Sequence, residues 1–408
     1  MPDDAVRRVL MTGDTVGGVW TFTLELARQL GSRGIEVLLA TMGGEPSLDQ
    51  REEVSEIPNL RFVPSSYKLE WMDEPWDDVE ASGAWLLDLR RQFAPDVVHL
   101  NSFGHGALHF EAPVVLTAHS CVLSWWDAAK PEPLPSRWNR YRLQVETSIK
   151  GADVLTAPSQ AMLDTIMENY GPDLPPARVV PNGRCAERFR PSVKEPLILA
   201  AGRLWDEGKN VAALSKVAPS IPWPIYLAGE TRAPSDGAAN VERSLGSGTG
   251  CEGSDEEVRG ERADLGLVLA RRDAAGQSAS ASCRPLGRLT PAALARWYGR
   301  ASIYAHPARY EPFGLCVLEA ALSGCALVLG DIASLREIWR DAAIFVPPDD
   351  TNALQSAINN LIQRPSLRDE MALRATARAR SFTADRMAQT YAEIYASQAG
   401  MRRMACGL

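Results

Sequence analysis

Residues 9–40, VLMTGDTVGGVWTFTLELARQLGSRGIEVLLA, decide the fold. The apolar run Val9-Leu10-Met11-Thr12 reads as a buried strand, and Gly13 to Gly18 form a turn-rich loop behind it. Val19, Phe22, Leu26 and Leu30 then recur at helical spacing until Gly34, and Ile35 to Ala40 is a second apolar run. Strand, helix and strand in that order make a βαβ unit with parallel strands.

Working outward, apolar runs recur at Asp96 to Leu100, Val114 to Thr117 and Asp153 to Ala157, each beside helical patterning. That alternation implies a parallel sheet covered on both faces. At Pro191 to Pro196 the chain turns polar and proline-bounded, and the rhythm restarts with Leu197 to Ala201. Further strands are expected at Ile225 to Ala228, Ala301 to Ala305, Ala326 to Leu329 and Ala343 to Val346. The fold class is α/β, with two similar domains, 1–190 and 191–382, facing an interdomain cleft. A last amphipathic helix over 383–408 carries Met387, Tyr391, Ile394 and Tyr395 on one face. Ser235 to Ser282 breaks the pattern: it is crowded with Gly, Ser, Ala, Arg and acidic residues, and its one apolar run is Leu265 to Ala270. Such a stretch buries too little surface to offset its ordering entropy and reads as a disordered insertion, a lid or a shifted reading frame.

The chain has 408 residues, 45% of them hydrophobic, enough for two sizeable cores. Its 51 acidic against 43 basic residues give a net charge of -8, so no overall field draws it to nucleic acid. No apolar run approaches the roughly 20 residues a membrane span needs. Met1 to Arg8 carries Asp3 and Asp4 instead of an apolar secretory core, so a cytoplasmic protein is expected. The seven cysteines are scattered without a C-x-x-C pair, as in a reducing compartment. His105 and His109 stand at i, i+4, one face of a metal site if helical, but no acidic or cysteine partner lies at ligand spacing and no metal is expected.

The chemistry concentrates in two segments of the second half. AGRLWDEGKN places Arg203 just past a buried strand with Lys209 six residues on, where open α/β sheets bind ligands and two cations can neutralise a diphosphate. In HPARYEPFGLCVLEAALSG, Glu311 and Glu319 bracket Phe313, Gly314 and Leu315 at the start of a helix. Free N–H groups there suit a phosphate, Gly314 keeps the approach open, and Glu319 suits a ribose diol. Carboxylates beside cations point to a ligand bearing both phosphate and hydroxyls. The first glycine loop is not G-x-G-x-x-G, and no acid follows the second strand, which disfavours a nicotinamide cofactor.

On EPFGLCVLE, an E-x7-E motif, together with Arg203 and Lys209, the sequence resembles the retaining glycosyltransferases of family 4, often called group 1, over nearly the whole chain except Ser235 to Ser282. The resemblance implies the GT-B fold: two Rossmann-like domains, the second holding a nucleotide-diphosphate sugar as donor, the first a hydroxyl acceptor, and the C-terminal helix crossing back onto the first. It implies a diphosphate clamp at Arg203 and Lys209, a carboxylate meeting the transferred sugar at Glu311, a backbone cradle at Phe313, Gly314 and Leu315, and a ribose ligand at Glu319. It further implies a donor contact at His119 in TAHS, and phosphate or acceptor contacts at Gly17 and Gly18. The expected activity is hexosyl transfer with retention, without metal or cofactor. Asn182-Gly183 resembles a family turn, and Asp331 to Glu337 departs from the family by carrying Ala and Ser where glycines are frequent.

Tyr67, Trp71, Trp76 and Trp85, with Trp125 and Trp126, suit either sugar stacking or core packing. The basic stretch with Arg137, Arg140, Arg142 and Lys150 suits either a peripheral membrane contact at the inner surface or a solvated helix. Two rival functions stay open at this point: a sugar-nucleotide epimerase of the same layout, and a non-catalytic nucleotide-sugar binder.

Overall fold

The computed structural model describes residues 6–231 and 283–406. The expected disorder of 235–282 lies outside the described residues. The first domain is built on a parallel sheet of seven strands, β1 (Arg8–Asp14), β2 (Glu36–Met42), β3 (Leu60–Pro64), β4 (Val97–Leu100), β5 (Val114–Thr117), β6 (Val154–Ala157) and β7 (Ala177–Val179). Their order is β3-β2-β1-β4-β5-β6-β7. The second sheet, also parallel, contains β8 (Glu195–Ala201), β9 (Ile225–Ala228), β10 (Cys283–Gly287), β11 (Ala301–His306), β12 (Ala326–Gly330) and β13 (Ile344–Val346), ordered β10-β9-β8-β11-β12-β13. Both are doubly wound α/β sheets, as the alternation of runs and helices predicts.

Each sheet is buried on both faces at its centre because the central strands are apolar. In β1, Val9 and Met11 enter one core while Leu10 enters the other. In β8, Leu197 and Leu199 face one core and Ile198 and Ala200 the opposite one. A fully buried side chain of this size contributes about 1.5–3 kcal/mol, so such runs fix the register of the sheet.

The C-terminal helix, Ala384–Cys406, lays Met387, Tyr391, Ile394 and Tyr395 into the core of the first domain beside Val9, Met11 and Phe22. Its polar tips are satisfied there. Tyr395 OH pairs with His99 Nδ1 at 2.6 Å, His99 Nε2 with Thr117 Oγ1 at 2.7 Å, and Tyr391 OH with Thr117 Oγ1 at 3.2 Å. Burial pushes His99 down to about 3, so this network is neutral. The chain passes between domains twice, and the passages touch: Gly183 carries no side chain where a Cβ would stand 2.1 Å from Thr383 O. Among the described residues no helix is long and apolar enough to cross a membrane.

Candidate functional site

In an open α/β sheet ligands gather where neighbouring strands send their connections to opposite faces. Those places are the carboxyl ends of β1 and β4 in one domain and of β8 and β11 in the other, and the fold turns them toward each other. A Cβ on Gly17, whose φ is 90°, would lie 3.6 Å from Arg203 Cδ, and one on Gly18 would lie 3.8 Å from Leu315 Cδ1.

On the second-domain side, Arg203 leaves the end of β8 and pairs with Asp206 at 3.1 Å. Asp206 also accepts from Trp125 Nε1 at 2.8 Å, which anchors the first domain's half-buried Trp125 across the cleft. Lys209 ends a short turn and donates to Glu311 Oε2 at 2.8 Å; His306 Nε2, from the end of β11, stands 3.1 Å from the same oxygen. Burial alone raises the Glu311 carboxyl, but the Lys209 ammonium and then His306 outweigh it and hold it well below the usual carboxylate range. Glu311 is therefore an anion throughout the physiological range. The recess lined by Gly202, Arg203, Lys209 and His306 encloses about 10 Å³, room for about one water.

Gly314, at φ 88°, starts the helix Leu315–Leu322 and leaves first-turn N–H groups free of intrahelical partners. The Phe313 ring is buried edge-on against Phe382, 5.6 Å between centroids, so what Phe313 offers the cleft is its backbone. The glycine-poor Asp331 to Glu337 segment has a use of its own. Ser334 Oγ donates to Glu311 O at 2.5 Å, and the Glu337 carboxylate crosses to the first domain and accepts from Gln160 N and Ala161 N at 2.8 and 2.9 Å.

On the first-domain side, His119 sits at the end of β5. Asn101 Nδ2 donates to Thr12 O at 2.7 Å, which turns Asn101 Oδ1 toward His119 Nε2, also 2.7 Å away. Nε2 must then carry the proton, leaving Nδ1 as an acceptor. Burial pushes this imidazole down to about 3, so it is neutral. The next residues, Ser120 and Cys121, donate to the hydroxyl of Tyr310, the neighbour of Glu311, at 3.3 and 3.1 Å. His119 and Glu311 thus flank one shared contact between the lobes.

Asp14, at the end of β1, was not singled out by sequence, since a lone acid in a glycine loop carries no pattern. Burial raises it to about 7 against the pull of Arg203 and the Val16 N–H, which donates to it at 3.0 Å. Trp71, Trp76 and Trp85 pack against the first core, and Arg140 lies 4.4 Å over the Trp76 ring. His105 and His109 are in a loop, not on a helix face. His105 is buried with Nε2 at 2.9 Å from Ser82 Oγ, while His109 is exposed.

Glu319 lies one turn inside its helix, 6% exposed, with Oε1 at 2.9 Å from Arg184 Nε. The N–H does not point along that line, so the contact is an ion pair rather than an aligned hydrogen bond. Arg184 also pairs with Glu25, which is 1% exposed. Two carboxylates, one from each domain, therefore share a guanidinium in the link, beneath the cleft. Burial raises Glu319 above its usual range despite Arg184. No sequence signal marks Arg184.

Two family models match the chain, Glycosyltransferase Family 4 over residues 16–188 and Glycosyl transferases group 1 over residues 272–378, together more than half of it. A D-inositol 3-phosphate glycosyltransferase of Xylanimonas cellulosilytica is 26% identical over 97% of this chain and 94% of its own. A glycogen synthase of Mycobacterium tuberculosis is 27% identical over 77% and 72%. Among solved structures, the sucrose-phosphate synthase of Thermosynechococcus elongatus superposes with a TM-score of 0.75 at 16% identity, covering 98% of this chain and 100% of that one. Anabaena HepE in complex with UDP-glucose does so at 0.70 and 17%, covering 96% and 99%. With the two-domain GT-B architecture and matching models in both halves, the chain belongs to the group 1 glycosyltransferases.

Proposed function

We propose that the protein moves a hexose from a nucleotide-diphosphate sugar to a hydroxyl acceptor with retention of configuration and without a catalytic metal. The observation that carries this reading is the Lys209–Glu311–His306 cluster at the end of β11, beside the small recess that Arg203, Lys209 and His306 line. Breaking a sugar–phosphate bond builds negative charge on the leaving diphosphate and positive charge at the anomeric carbon. Arg203, Lys209 and the first-turn N–H groups of Leu315–Leu322 answer the first, and a fixed donor of this kind is worth about 3–4 kcal/mol. Glu311, held ionised, answers the second and orients sugar hydroxyls; an anion at every working pH does not serve as a proton donor. The neutral His119 presents Nδ1 to a donor hydroxyl, and the acceptor proton leaves on a diphosphate oxygen.

Glu319 is assigned to the ribose, which would share this carboxylate with Arg184. The UDP-glucose held by HepE makes UDP sugars the first donors to test. A thermal-shift screen of UDP, GDP and ADP sugars reads the donor, because a ligand of the folded state raises apparent stability by mass action. Transfer by Glu311→Gln is the accompanying assay. The amide keeps the volume and loses the charge, so transfer falls about 10²–10³-fold with an unchanged circular dichroism spectrum. Near-normal turnover in that variant, or no stabilisation by any of the three nucleotide classes, overturns the reading.

A further inference from the structure

Behind the cleft, where the two passages between domains meet, lies a second cavity of about 360 Å³. Its walls are Val180 and Pro181 from the first passage, Phe382 and Thr383 from the second, and Arg378 and Arg386 from the helices on either side. The size is within the range of small-molecule sites. Among the described residues no carboxylate lines it.

The charge there is unusual for a chain of net charge -8. Neither Arg378 nor Arg386 forms an ion pair with any described residue, and the same holds for Arg340 nearby. Arg378 is lowered from its usual value first by burial and then by the like charge of Arg340, and Asp341 is the acid that opposes this. Asp341 is shared with Arg374 at 3.8 Å, and Asp385, beside Arg386, is taken by Arg33 at 2.6 Å. Arg378 is held in place by Nε donating to Ile338 O at 2.6 Å and by its stack on Phe382, 4.8 Å from guanidinium carbon to ring centre. Arg386 Nη1 donates to Ser381 O at 3.2 Å, which fixes its direction. Two arginines line one hollow, Arg378 half-buried and Arg386 exposed, and neither is in an ion pair with a described residue; such guanidiniums suit a phosphate, which takes their planar donors in pairs. The apolar wall of Val180, Pro181 and Met387 suits a carbon skeleton attached to it.

We propose that this hinge cavity is a binding site for a phosphate-bearing small molecule, held by Arg378 and Arg386. Because its walls come from both lobes, an occupant ties them together at the passage that any opening of the cleft must bend. The site stands apart from the donor clamp and is independent of the donor reading.

The test is thermal unfolding of the full chain titrated with inorganic phosphate at constant ionic strength, in the parent protein, Arg203→Ala and Arg386→Gln. Phosphate is expected to raise the midpoint in the parent and equally in Arg203→Ala, with its half-effect at least tenfold weaker in Arg386→Gln. Basal transfer by Arg386→Gln stays at the parent level. Glucose 1-phosphate in place of inorganic phosphate reads the apolar wall, and tighter binding is expected. Loss of the shift in Arg203→Ala would show that the anion reads the donor clamp. That result, an unchanged shift in the Arg378→Gln/Arg386→Gln double variant, or no shift in the parent up to about 20 mM, overturns the proposal.

Discussion

Removing the Arg184 guanidinium is the sharpest test of how the two domains are joined. In Arg184→Met the packing volume is nearly kept, but Glu25 and Glu319, at 1% and 6% exposure, lose their shared cation. Breaking a buried ion pair from one side costs about 3–5 kcal/mol, and the lost guanidinium contact with Phe189, 5.0 Å from its ring centre, adds about 0.5–1 kcal/mol. At about 2–4 °C per kcal/mol for domains of this size, the melting temperature at pH 8 falls by about 10 °C. The penalty depends on pH. Glu319 is already raised in the folded state, and without Arg184 it rises further, so the variant takes up a proton on folding that the unfolded chain does not hold. A carboxyl raised by folding favours the folded state at low pH and loses that contribution as pH climbs. The deficit of Arg184→Met is therefore greatest at pH 8 and narrows toward pH 5.5. Arg184→Met/Glu25→Gln, which carries one buried charge fewer, regains part of the loss, a coupling that a double-mutant cycle isolates. A fall below about 3 °C, or a deficit independent of pH, refutes the claim that these two buried carboxylates depend on Arg184.

Asp14→Asn should behave in the opposite direction: with Asp14 at about 7 in the folded protein, the parent loses stability as pH rises from about 4 to 7, while the amide does not. The melting temperature of Asp14→Asn gains on the parent between pH 5 and pH 8, and a constant difference would mean that Asp14 is ordinarily solvated. Gly183→Ala pushes a methyl to within 2.1 Å of Thr383 O, so the passages must separate; urea unfolding should show a loss of about 1–3 kcal/mol, and a midpoint equal to the parent's would mean that they slide apart freely.

How much of this was written in the chain depends on whether the signal is local. β1, β2, β8, β11 and β12 were legible because each is an unbroken apolar run buried on both faces. β3, β7 and β10 were not: they lie at sheet edges, where Leu60–Pro64 is only half-buried and Ala177–Val179 largely exposed, whereas the edge strand β13 keeps the apolar Ile344, Phe345 and Val346 and was legible. Without a covered face there is no reason for the residues to be apolar, and the period disappears. The pairing of Lys209 with Glu311 spans 102 residues, yet both were found, since each stands in a pattern that the strand ends impose: a cation past β8, an acid before a glycine-led helix. Arg184 had no such frame. Nothing beside it in the link is acidic until Glu187, and the carboxylate that accepts its Nη1 proton is 159 residues earlier, in the helix Gly18–Gly31. A buried charge is therefore the residue that sequence reading misses, because its burial is decided by partners that only the folded chain brings together. The same holds for Arg378 and Arg386, whose shared hollow is completed by Val180 and Pro181 from a chain segment more than 190 residues away.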